Sequence, residues 1–411
     1  MPPPPPKLRE TATLPDGLVE DILLRVPPDD PASLARAALA CRRWRRLVSD
    51  PAFRRRRLDL HRATPPPLLG VVCDAGWDGG GGPPFARFVP TSSCRPPRAD
   101  HRGLRAVEAR HGRVLLHGRR HDHLFVWNPV TDQMTELPGP PKLIGSRNKA
   151  TVLCAAINGT CDHVDCHRGP FIVVLVGTNS NFLDVDCGNE YDEMFFGGHR
   201  LMVANKHMFA CIYSSESGVW SKPRYAEFLG GNVGQERTAL VGNAIYFTTL
   251  EYHRILKYDM DTRKMSWIGL PYDGTKMVFF DFARMHLTTM EDGRLGIGRI
   301  GESNELYLWS RDQDDEVDGW ALCKVIDLKK LFPLVSQIAM KHCLIGFVES
   351  VSVALVALEN QLFTVDMKSG LMRKVSEGCR IFSAVPYINF CTPALEEPSR
   401  DDGPRVGASS A

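Results

Sequence analysis

The feature that most constrains the fold is a loose repeat of short strand patterns that covers much of the chain. Each copy reads as a strand, a tight turn and a second strand, rich in β-branched and aromatic residues and bounded by Gly, Asn, Asp or Pro. Four copies occur, at residues 112–138, 242–271, 305–322 and 359–370. Equivalent positions recur at a period of about fifty residues, and almost nothing between the copies has helical length or period.

A meander of three or four strands cannot bury both of its faces alone, so each unit must be covered by its neighbours. Radial stacking of such units gives a β-propeller. The sequence therefore predicts a large all-β domain, an irregular β-propeller, over residues 104–393. Residues 139–237 and 272–304 do not divide cleanly into units, so a β-sandwich stays open. The aromatic residues at matching places in the copies should be buried between sheets, among them Tyr258, Trp267 and Trp309.

The first sixty residues follow a different pattern, that of short amphipathic helices. An apolar stripe at helical spacing consists of Leu18, Ile22, Leu23 and Val26. Asp16, or Thr13 together with Asp16, should cap this helix, and Pro27-Pro28 should end it. Three or four such helices in about fifty residues bury too little surface to be stable alone. We therefore expect a partner or a neighbouring domain to cover this unit.

Two further helix starts are marked by an aspartate followed by a proline. Asp30 should be an N-cap with Pro31 at the first helical position, and Asp50-Pro51 should start a later helix in the same way. Residues 1–62 hold 13 Lys and Arg against 8 Asp and Glu, and most of the excess lies at 42–46 and 54–57. We expect these arginines to face solvent with their stems over apolar surface, rather than to form a phosphate-binding or nuclear-localisation patch.

The order of motifs in this segment resembles an F-box over residues 11–60. The motifs that carry the resemblance are Leu14-Pro15, Ile22-Leu23, a proline-ended helix, Cys41-Arg42-Arg43-Trp44 and Asp50-Pro51-x-Phe53. In the β domain, Asn128-Pro129-x-Thr131 is similar to a motif of the propeller-like domain that follows the F-box in many plant F-box proteins. The resemblance implies a small all-α F-box of three to four short helices followed by that domain.

The F-box resemblance also implies a function. Such a unit docks on a Skp1-type adaptor and through it on a cullin, within an SCF-type cullin-RING ubiquitin ligase. The adaptor-binding residues that it puts forward are Leu14, Pro15, Leu18, Ile22, Leu23, Val26, Leu34 and Trp44, some of which must face inward to hold the helices. The β domain would present loops to an unknown target protein, as rigid scaffolds commonly do.

This reading makes the chain a non-catalytic substrate receptor. Neither a Gly-x-Ser-x-Gly elbow nor a His-Glu-x-x-His motif occurs, and we expect no catalytic residue and no cofactor. Two alternatives stay open. One is a propeller enzyme or carbohydrate-binding lectin in which the helical unit is a packing subdomain. The other is an F-box protein that acts outside ubiquitin transfer.

A dense group of sulfur and imidazole side chains lies between two predicted strands. Its members are Cys161, His163, Cys166 and His167, with Cys154 upstream and Cys187 downstream. These ligand types suit zinc, but the spacing is not that of a standard finger, since no second Cys-x-x-Cys pair lies nearby. The sequence therefore predicts no stoichiometric zinc, and these four residues are only weak metal candidates.

Charge and hydropathy exclude several other classes. A net charge of +2 over 411 residues is too small to indicate a nucleic-acid partner. No apolar run approaches the roughly 18 residues of a membrane helix, and the proline-rich start is no secretory signal. We expect the cytoplasm or the nucleus, where the 12 cysteines should be mostly reduced.

The remaining segments complete the predicted domain organisation. Residues 1–10 are expected to be a disordered proline-rich start, and residues 394–411 a disordered tail. Residues 61–103 are expected to be a Pro/Gly-rich connector, in which Leu68 to Cys73 and Phe85 to Val89 could be first strands.

Overall fold

The structure is a computed structural model, and it divides the chain into two compact units. One contains Met1–Thr64 and Cys391–Ala411, and the other contains Pro65–Phe390. No described helix is long and apolar enough to cross a membrane. The residues that the structure describes are 14–62, 64, 66–76, 85–118, 123–141, 147–156, 161, 163, 166–180, 206–227, 232–249, 254–271, 285–301, 304–312, 319–331, 342–349, 351–358, 360–377 and 380–390.

The first unit is built from short helices, as predicted. The helices are α1 (Asp16–Leu24), α2 (Pro31–Ala40), α3 (Arg42–Ser49) and α4 (Pro51–His61). Buried apolar side chains from all four form one core, which consists of Val19, Leu23, Leu34, Ala38, Val48 and Phe53. Six buried side chains make a small core, which agrees with the expectation that this unit depends on further contacts.

Two of the three predicted helix caps are confirmed. The Asp30 carboxylate accepts a hydrogen bond from the backbone N–H of Ser33 at 3.3 Å, and the Asp50 carboxylate accepts one from Ala52 at 2.8 Å. The third prediction is wrong, because Pro15 occupies the N-cap position of α1 and no side chain caps it. Asp16 is instead the first helical residue and pairs with Arg43. Thr13 lies outside the described residues.

The prediction that the arginines of this unit face solvent is wrong for Arg57, which is buried. Its guanidinium donates hydrogen bonds to the carbonyl oxygens of Val26 at 2.6 Å, Pro27 at 3.3 Å and Leu24 at 3.4 Å. Carbonyls at a helix C-terminus have no partner within the helix and carry partial negative charge. Arg57 therefore closes the end of α1 from α4, a long-range contact that helix phase alone does not predict.

The second unit is a six-bladed β-propeller. In chain order, its described strands before the last one are β1 (Leu68–Gly76), β2 (Phe85–Pro90), β3 (Asp100–His101), β4 (Leu104–Arg110), β5 (Arg113–Gly118), β6 (Leu124–Asn128), β7 (Gln133–Glu136), β8 (Arg147–Cys154), β9 (Phe171–Ser180), β10 (Lys206–Ser214), β11 (Val219–Trp220), β12 (Arg224–Glu227), β13 (Ala239–Val241), β14 (Ala244–Thr248), β15 (Arg254–Asp259), β16 (Met265–Gly269), β17 (Met285–Thr289), β18 (Leu295–Ile300), β19 (Glu305–Arg311), β20 (Trp320–Asp327), β21 (His342–Val348), β22 (Val353–Leu358), β23 (Gln361–Asp366) and β24 (Met372–Glu377). A 3₁₀ turn (Cys166–Arg168) precedes β9, and a short helix α5 (Leu328–Leu331) follows β20. The last strand, β25 (Arg380–Ile388), follows blade 6.

Each blade is an antiparallel sheet whose strands are neighbours in sequence, with one exception. Blades 2, 4, 5 and 6 are the meanders β4–β7, β13–β16, β17–β20 and β21–β24. Blade 3 contains β8–β11, and β12 also pairs with β10. Blade 1 is the exception, because β25 from the end of the unit pairs with β1 and completes the sheet β25-β1-β2-β3.

The closure of blade 1 extends the β domain beyond its predicted start at residue 104. Strands β1 and β2 confirm the two possible strands of the expected connector. Residues 68–101 are therefore the outer three strands of a blade. Val72 pairs with Val385 in its register, so the partner strand comes from the opposite end of the domain.

The repeat has a structural explanation in the hairpin turn that ends the third strand of four blades. A polar side chain accepts a hydrogen bond from a backbone N–H two or three residues later in each case, and these acceptors are Asn128, Ser214, Asp259 and Asp366. Four residues after each acceptor the chain adopts positive φ, at Asp132, Gly218, Arg263 and Gly370. The Ser214 turn belongs to blade 3, where no copy is apparent from the strand pattern alone. Such side-chain-to-backbone turns are local, so they recur wherever the same spacing occurs.

The predicted burial of the repeat aromatics is confirmed for two of the three. Tyr258 and Trp309 are buried in the cores between blades. Trp267 lies on β16, an edge strand of blade 4, and is only half-buried against the same core as Tyr258. An edge strand has no neighbouring strand on its outer side, so its side chains are covered less completely than those of the inner strands.

Candidate functional site

Exposed apolar side chains lie on the outer face of α1 and just before its start. Leu14, Leu18 and Ile22 are 49%, 52% and 58% exposed, and we call them the outer stripe. Leu18 and Ile22 are four residues apart and share one face of α1, whereas Leu14 lies two residues before the first helical residue, Asp16. A contiguous apolar row on a small unit is typical of a surface that a partner covers.

The rest of the unit fixes the position of the outer stripe. Val19 and Leu23 on the inward face of α1 are 2% and 4% exposed and anchor the helix in the core. At the start of the stripe, the Arg43 guanidinium donates a hydrogen bond to the Leu14 carbonyl oxygen at 2.7 Å and pairs with Asp16. These contacts restrain the stripe before a partner binds, so less conformational entropy is lost on binding.

The eight residues proposed from the F-box resemblance divide into three groups. Leu14, Pro15, Leu18 and Ile22 are exposed. Val26 and Trp44 are partly buried and pack against the core, whereas Leu23 and Leu34 lie within it. Leu23 and Leu34 thus hold the helices together, and direct contact with an adaptor stays a prediction for the exposed group.

The propeller contains a cavity of about 700 Å³ at the centre of its ring of blades. It is lined by first strands of blades 2, 3, 5 and 6, by residues 235–237 and by β25. Its polar lining includes Arg105, Asn148, Lys149, Glu236, His286 and Ser383. A cavity of this size with a few polar groups can receive a side chain or a short segment of another molecule.

A buried charge network lies beside this cavity. The Glu108 carboxylate accepts hydrogen bonds from Arg237 Nε at 2.7 Å and from the Thr238 N–H and Oγ1 at 3.0 Å each. Burial on its own would raise the pKa of Glu108, but Arg237, Arg110 and Lys149 together lower it to about 2. Glu108 is therefore a permanent buried anion.

Arg110 extends the network across four blades. Its guanidinium donates hydrogen bonds to Thr151 Oγ1 at 2.9 Å and to the Thr238 carbonyl oxygen at 2.9 Å, and it pairs with Glu349. These residues belong to or adjoin blades 2, 3, 4 and 6. The network consequently joins the blades, a structural role for charged residues that no sequence motif marks. The only sequence signal is their occurrence inside a strand pattern, at Glu108 and Arg110 of β4.

His286 and Lys149 are the titratable groups of the cavity whose proton affinity is most affected. Burial lowers the pKa of His286 to about 4, so its imidazole is neutral at physiological pH. Burial also lowers the pKa of Lys149, whose ammonium donates to the carbonyl oxygens of Val107 and Gln235 at 2.9 Å each. Among the described residues, His286 Nδ1 has no hydrogen-bond partner.

The structure brings together three of the four weak metal candidates and adds a strand residue. The ligand atoms of this group all lie within 4.8 Å of one another, and its members, which we call the thiol–imidazole cluster, are Cys154, Cys161, His163 and Cys166. Cys154 ends β8, and Cys166 starts the 3₁₀ turn before β9. His167 is buried and does not belong to the group.

A small helical unit with an exposed apolar stripe, followed by a six-bladed propeller, defines an F-box propeller protein. Two family matches agree with this class. Residues 11–60 match the family described as F-box-like, and residues 168–388 match the family described as F-box protein AT5G49610-like, beta-propeller. The second match covers more than half of the chain, and the chain belongs to that family. No curated protein matches it.

Three solved structures resemble the chain at low sequence identity. TolB from Acinetobacter baumannii is 10% identical, with a TM-score of 0.44 over 80% of this chain and 70% of that one. The β-propeller domain of Cps50 (Swd1) from Myceliophteria thermophila is 11% identical, with a TM-score of 0.34 over 70% and 90%. Apo AztD from Citrobacter koseri is 10% identical, with a TM-score of 0.35 over 76% and 88%.

Proposed function

We propose that this protein is the substrate receptor of an SCF-type cullin-RING ubiquitin ligase. In this proposal the helical unit docks on a Skp1-type adaptor, and the propeller binds the protein to be ubiquitinated. The observation that supports it most is the outer stripe, because three apolar side chains that are about half exposed are held in place beside a small core. The F-box-like family match over the same residues supports the same partner.

The two units would contribute differently to this function. The helical unit supplies an apolar anchor, and interface energy concentrates in a few such anchors. The propeller supplies a rigid body with loops and a cavity, for which the charge network around Glu108 and Arg110 provides the rigidity. Chemistry would be left to the other subunits of the ligase, so the receptor itself needs no nucleophile or general base.

Adaptor binding tests the proposal directly. Truncating a buried interface anchor costs roughly 2 kcal/mol or more, and about 1.4 kcal/mol is one decade of affinity. We expect the pair Leu18→Ala and Ile22→Ala to weaken calorimetric binding to a Skp1-type adaptor at least tenfold. Leu14→Ala with Pro15→Ala should act in the same direction, because Leu14 is the first residue of the stripe and Pro15 is exposed beside it.

Leu322→Ala is the matched control, since Leu322 is a 53% exposed leucine on β20 of the propeller. It should bind the adaptor like the wild type, and none of these variants should change the melting temperature of the propeller. Wild-type protein without measurable adaptor affinity at micromolar concentration would contradict the proposal. Normal adaptor binding by both double variants would show that the residues that anchor the adaptor are not Leu14, Pro15, Leu18 and Ile22.

A further inference from the structure

We propose that the thiol–imidazole cluster binds one structural zinc ion with Cys₃His coordination. Three cysteines and one histidine are an established ligand set for structural zinc, which is four-coordinate and tetrahedral. The proposal concerns the propeller alone and does not depend on the ligase function. It also departs from the sequence-based expectation of no stoichiometric zinc, which rested on the spacing of residues 161–167.

The distances within the cluster fit a tetrahedral ion. Two thiolates that each lie about 2.3 Å from zinc are roughly 3.8 Å apart in a tetrahedron. The Cys166 Sγ and His163 Nδ1 atoms are already 3.7 Å apart, and no pair of ligand atoms exceeds 4.8 Å. Side-chain shifts of about 1 Å or less would thus complete the geometry. Cys154, Cys161 and Cys166 are free thiols, so their sulfurs are available as ligands.

The cluster brings together the end of β8, the connection that follows it and the turn before β9. Cys154 is contributed by the end of β8, whereas Cys161 and His163 lie in the connection to β9 and Cys166 begins the 3₁₀ turn. The spacing of the four ligands in the sequence is Cys-x₆-Cys-x-His-x₂-Cys. One ion would hold both ends of the connection and its middle.

Surrounding residues support the ligands as outer-sphere partners of a metal site commonly do. The His163 N–H donates to Cys161 Sγ at 3.4 Å. The His111 ring stacks on the His163 ring at a centroid distance of 3.9 Å, and His111 Nδ1 accepts a hydrogen bond from the Cys154 N–H at 3.0 Å. His111 thereby contacts two of the proposed ligand residues at once.

The backbone at His111 is consistent with this supporting role. His111 and Gly112 form the two-residue turn between β4 and β5, with φ of 52° and 70°. Such turns prefer Asn or Asp before Gly, and the left-handed backbone carries a conformational cost for any residue other than glycine, although histidine adopts it more often than most. Its two contacts with the cluster offset that conformational cost. Gly112 also permits the close approach of the loop, because an added Cβ would lie 2.6 Å from His167 Cβ.

A positive charge near the cluster favours the zinc-bound form of the site. Three thiolates and one Zn²⁺ ion leave a net charge of −1. The Arg113 guanidinium donates hydrogen bonds to the Cys166 carbonyl at 2.6 Å and the Gly169 carbonyl at 2.5 Å, which places a permanent positive charge beside it. Binding converts three thiols to thiolates and so releases three protons per ion to solvent.

The test measures metal in the full chain. Protein purified with reductant from zinc-supplemented cells should contain about one zinc per chain by elemental analysis. Cys161→Ser and His163→Ala should each lose at least nine tenths of it, while His163→Cys should retain it as a four-thiolate site. Cys323→Ser is the control, because Cys323 is an exposed thiol on β20 outside the cluster, and it should keep the full complement.

Two measurements on the wild type keep the test decisive if a variant fails to fold. Cobalt added to the metal-free protein should give the visible bands of tetrahedral thiolate coordination, and zinc should displace them. Chelation should lower the melting temperature by several degrees, and zinc should restore it. Wild-type protein with less than a tenth of a zinc per chain and no tetrahedral cobalt spectrum would overturn the proposal. So would zinc that persists in both Cys161→Ser and His163→Ala, or a disulfide among the cluster cysteines in protein kept reduced.

Discussion

At the scale of single residues, the most informative group is the buried carboxylate of Glu108. It is fully buried, and Arg237 and Thr238 hold it with hydrogen bonds of 2.7 to 3.0 Å. A buried charge that loses its partner is strongly destabilising, by roughly 3–5 kcal/mol. The network therefore makes the propeller sensitive to the loss of any one member, although replacing all of it with apolar groups could be neutral.

The pH dependence of stability follows from the lowered pKa of Glu108. Its folded pKa is about 2, against about 4.5 for the ordinary carboxyl. Between these values the unfolded state binds more protons than the folded state, so stability falls as pH falls. We expect Glu108→Gln to unfold at lower urea concentration at pH 7, and to lack the part of the decline between pH 4.5 and 2 that Glu108 causes in the wild type.

Glu136→Gln is the control for this substitution, because Glu136 is an exposed residue of β7 in the same blade. It should leave the unfolding free energy within about 0.5 kcal/mol of the wild type. Equal stability of Glu108→Gln and wild type at pH 7 would mean that the network is not a stabilising device.

At the scale of secondary-structure elements, the hairpin turns of blades 2, 3, 4 and 6 share one backbone conformation but differ in the residue that adopts positive φ. The position of positive φ is glycine in blades 3 and 6, at Gly218 and Gly370, but it is Asp132 and Arg263 in blades 2 and 4. The left-handed conformation costs an L-residue roughly 1–2 kcal/mol, and glycine avoids that cost. Blade 4 therefore contains a position where the conformation is strained and the residue can be changed.

We expect Arg263→Gly to raise the melting temperature, with a gain of about 0.5–1 kcal/mol. The gain is smaller than the strain itself because glycine loses more chain entropy on folding. Arg263→Ala removes the same side chain and keeps the strain, so it should not stabilise. Differential scanning calorimetry of the two variants separates these effects. A melting temperature that rises equally in both would assign the gain to the lost charge of Arg263.

Elements with local causes could be predicted from the sequence, and those with distant causes could not. The starts of α2 and α4 follow from Asp30-Pro31 and Asp50-Pro51, because each cap bonds to a backbone N–H within three residues. The burial of Arg57 depends on carbonyls about thirty residues away and has no local signal. The thiol–imidazole cluster is similar, since its spacing becomes meaningful only when β8 brings Cys154 to the loop.

At the scale of the whole molecule, the chain combines a helical unit whose small core favours a partner with a propeller that has larger cores of its own. The helical unit has a six-residue core and an exposed apolar stripe, whereas the propeller buries clusters of side chains between its blades and ties blades together through Arg110. This division of labour suits a receptor, because the part that docks on a partner can be small while the part that selects a target must be rigid.

The closure of the ring is the feature on which the whole propeller depends. Strand β25 pairs with β1 over most of its length, and Val72 and Val385 are opposite one another. The end of β25 is tied further, because Tyr387 Oη donates a hydrogen bond to the Gly112 carbonyl at 3.2 Å and the Asn389 N–H donates one to Pro67 at 3.3 Å. Without β25, blade 1 has three strands, and β1 presents an unpaired edge.

We therefore expect a chain that ends after residue 379 to lose the cooperative unfolding of the propeller. The loss removes the buried side chains of Ala384, Val385 and Tyr387 together with the backbone hydrogen bonds to β1. Soluble yield, light scattering and a thermal melt would report aggregation and a broad transition. A chain that ends after residue 393 keeps β25 and should melt like the wild type. A cooperative melt at the wild-type temperature in the shorter chain would contradict this, because it would show that the six blades hold together without the closing strand. A synthetic peptide of residues 380–390 that restores the cooperative melt would show that its pairing with β1 closes the ring.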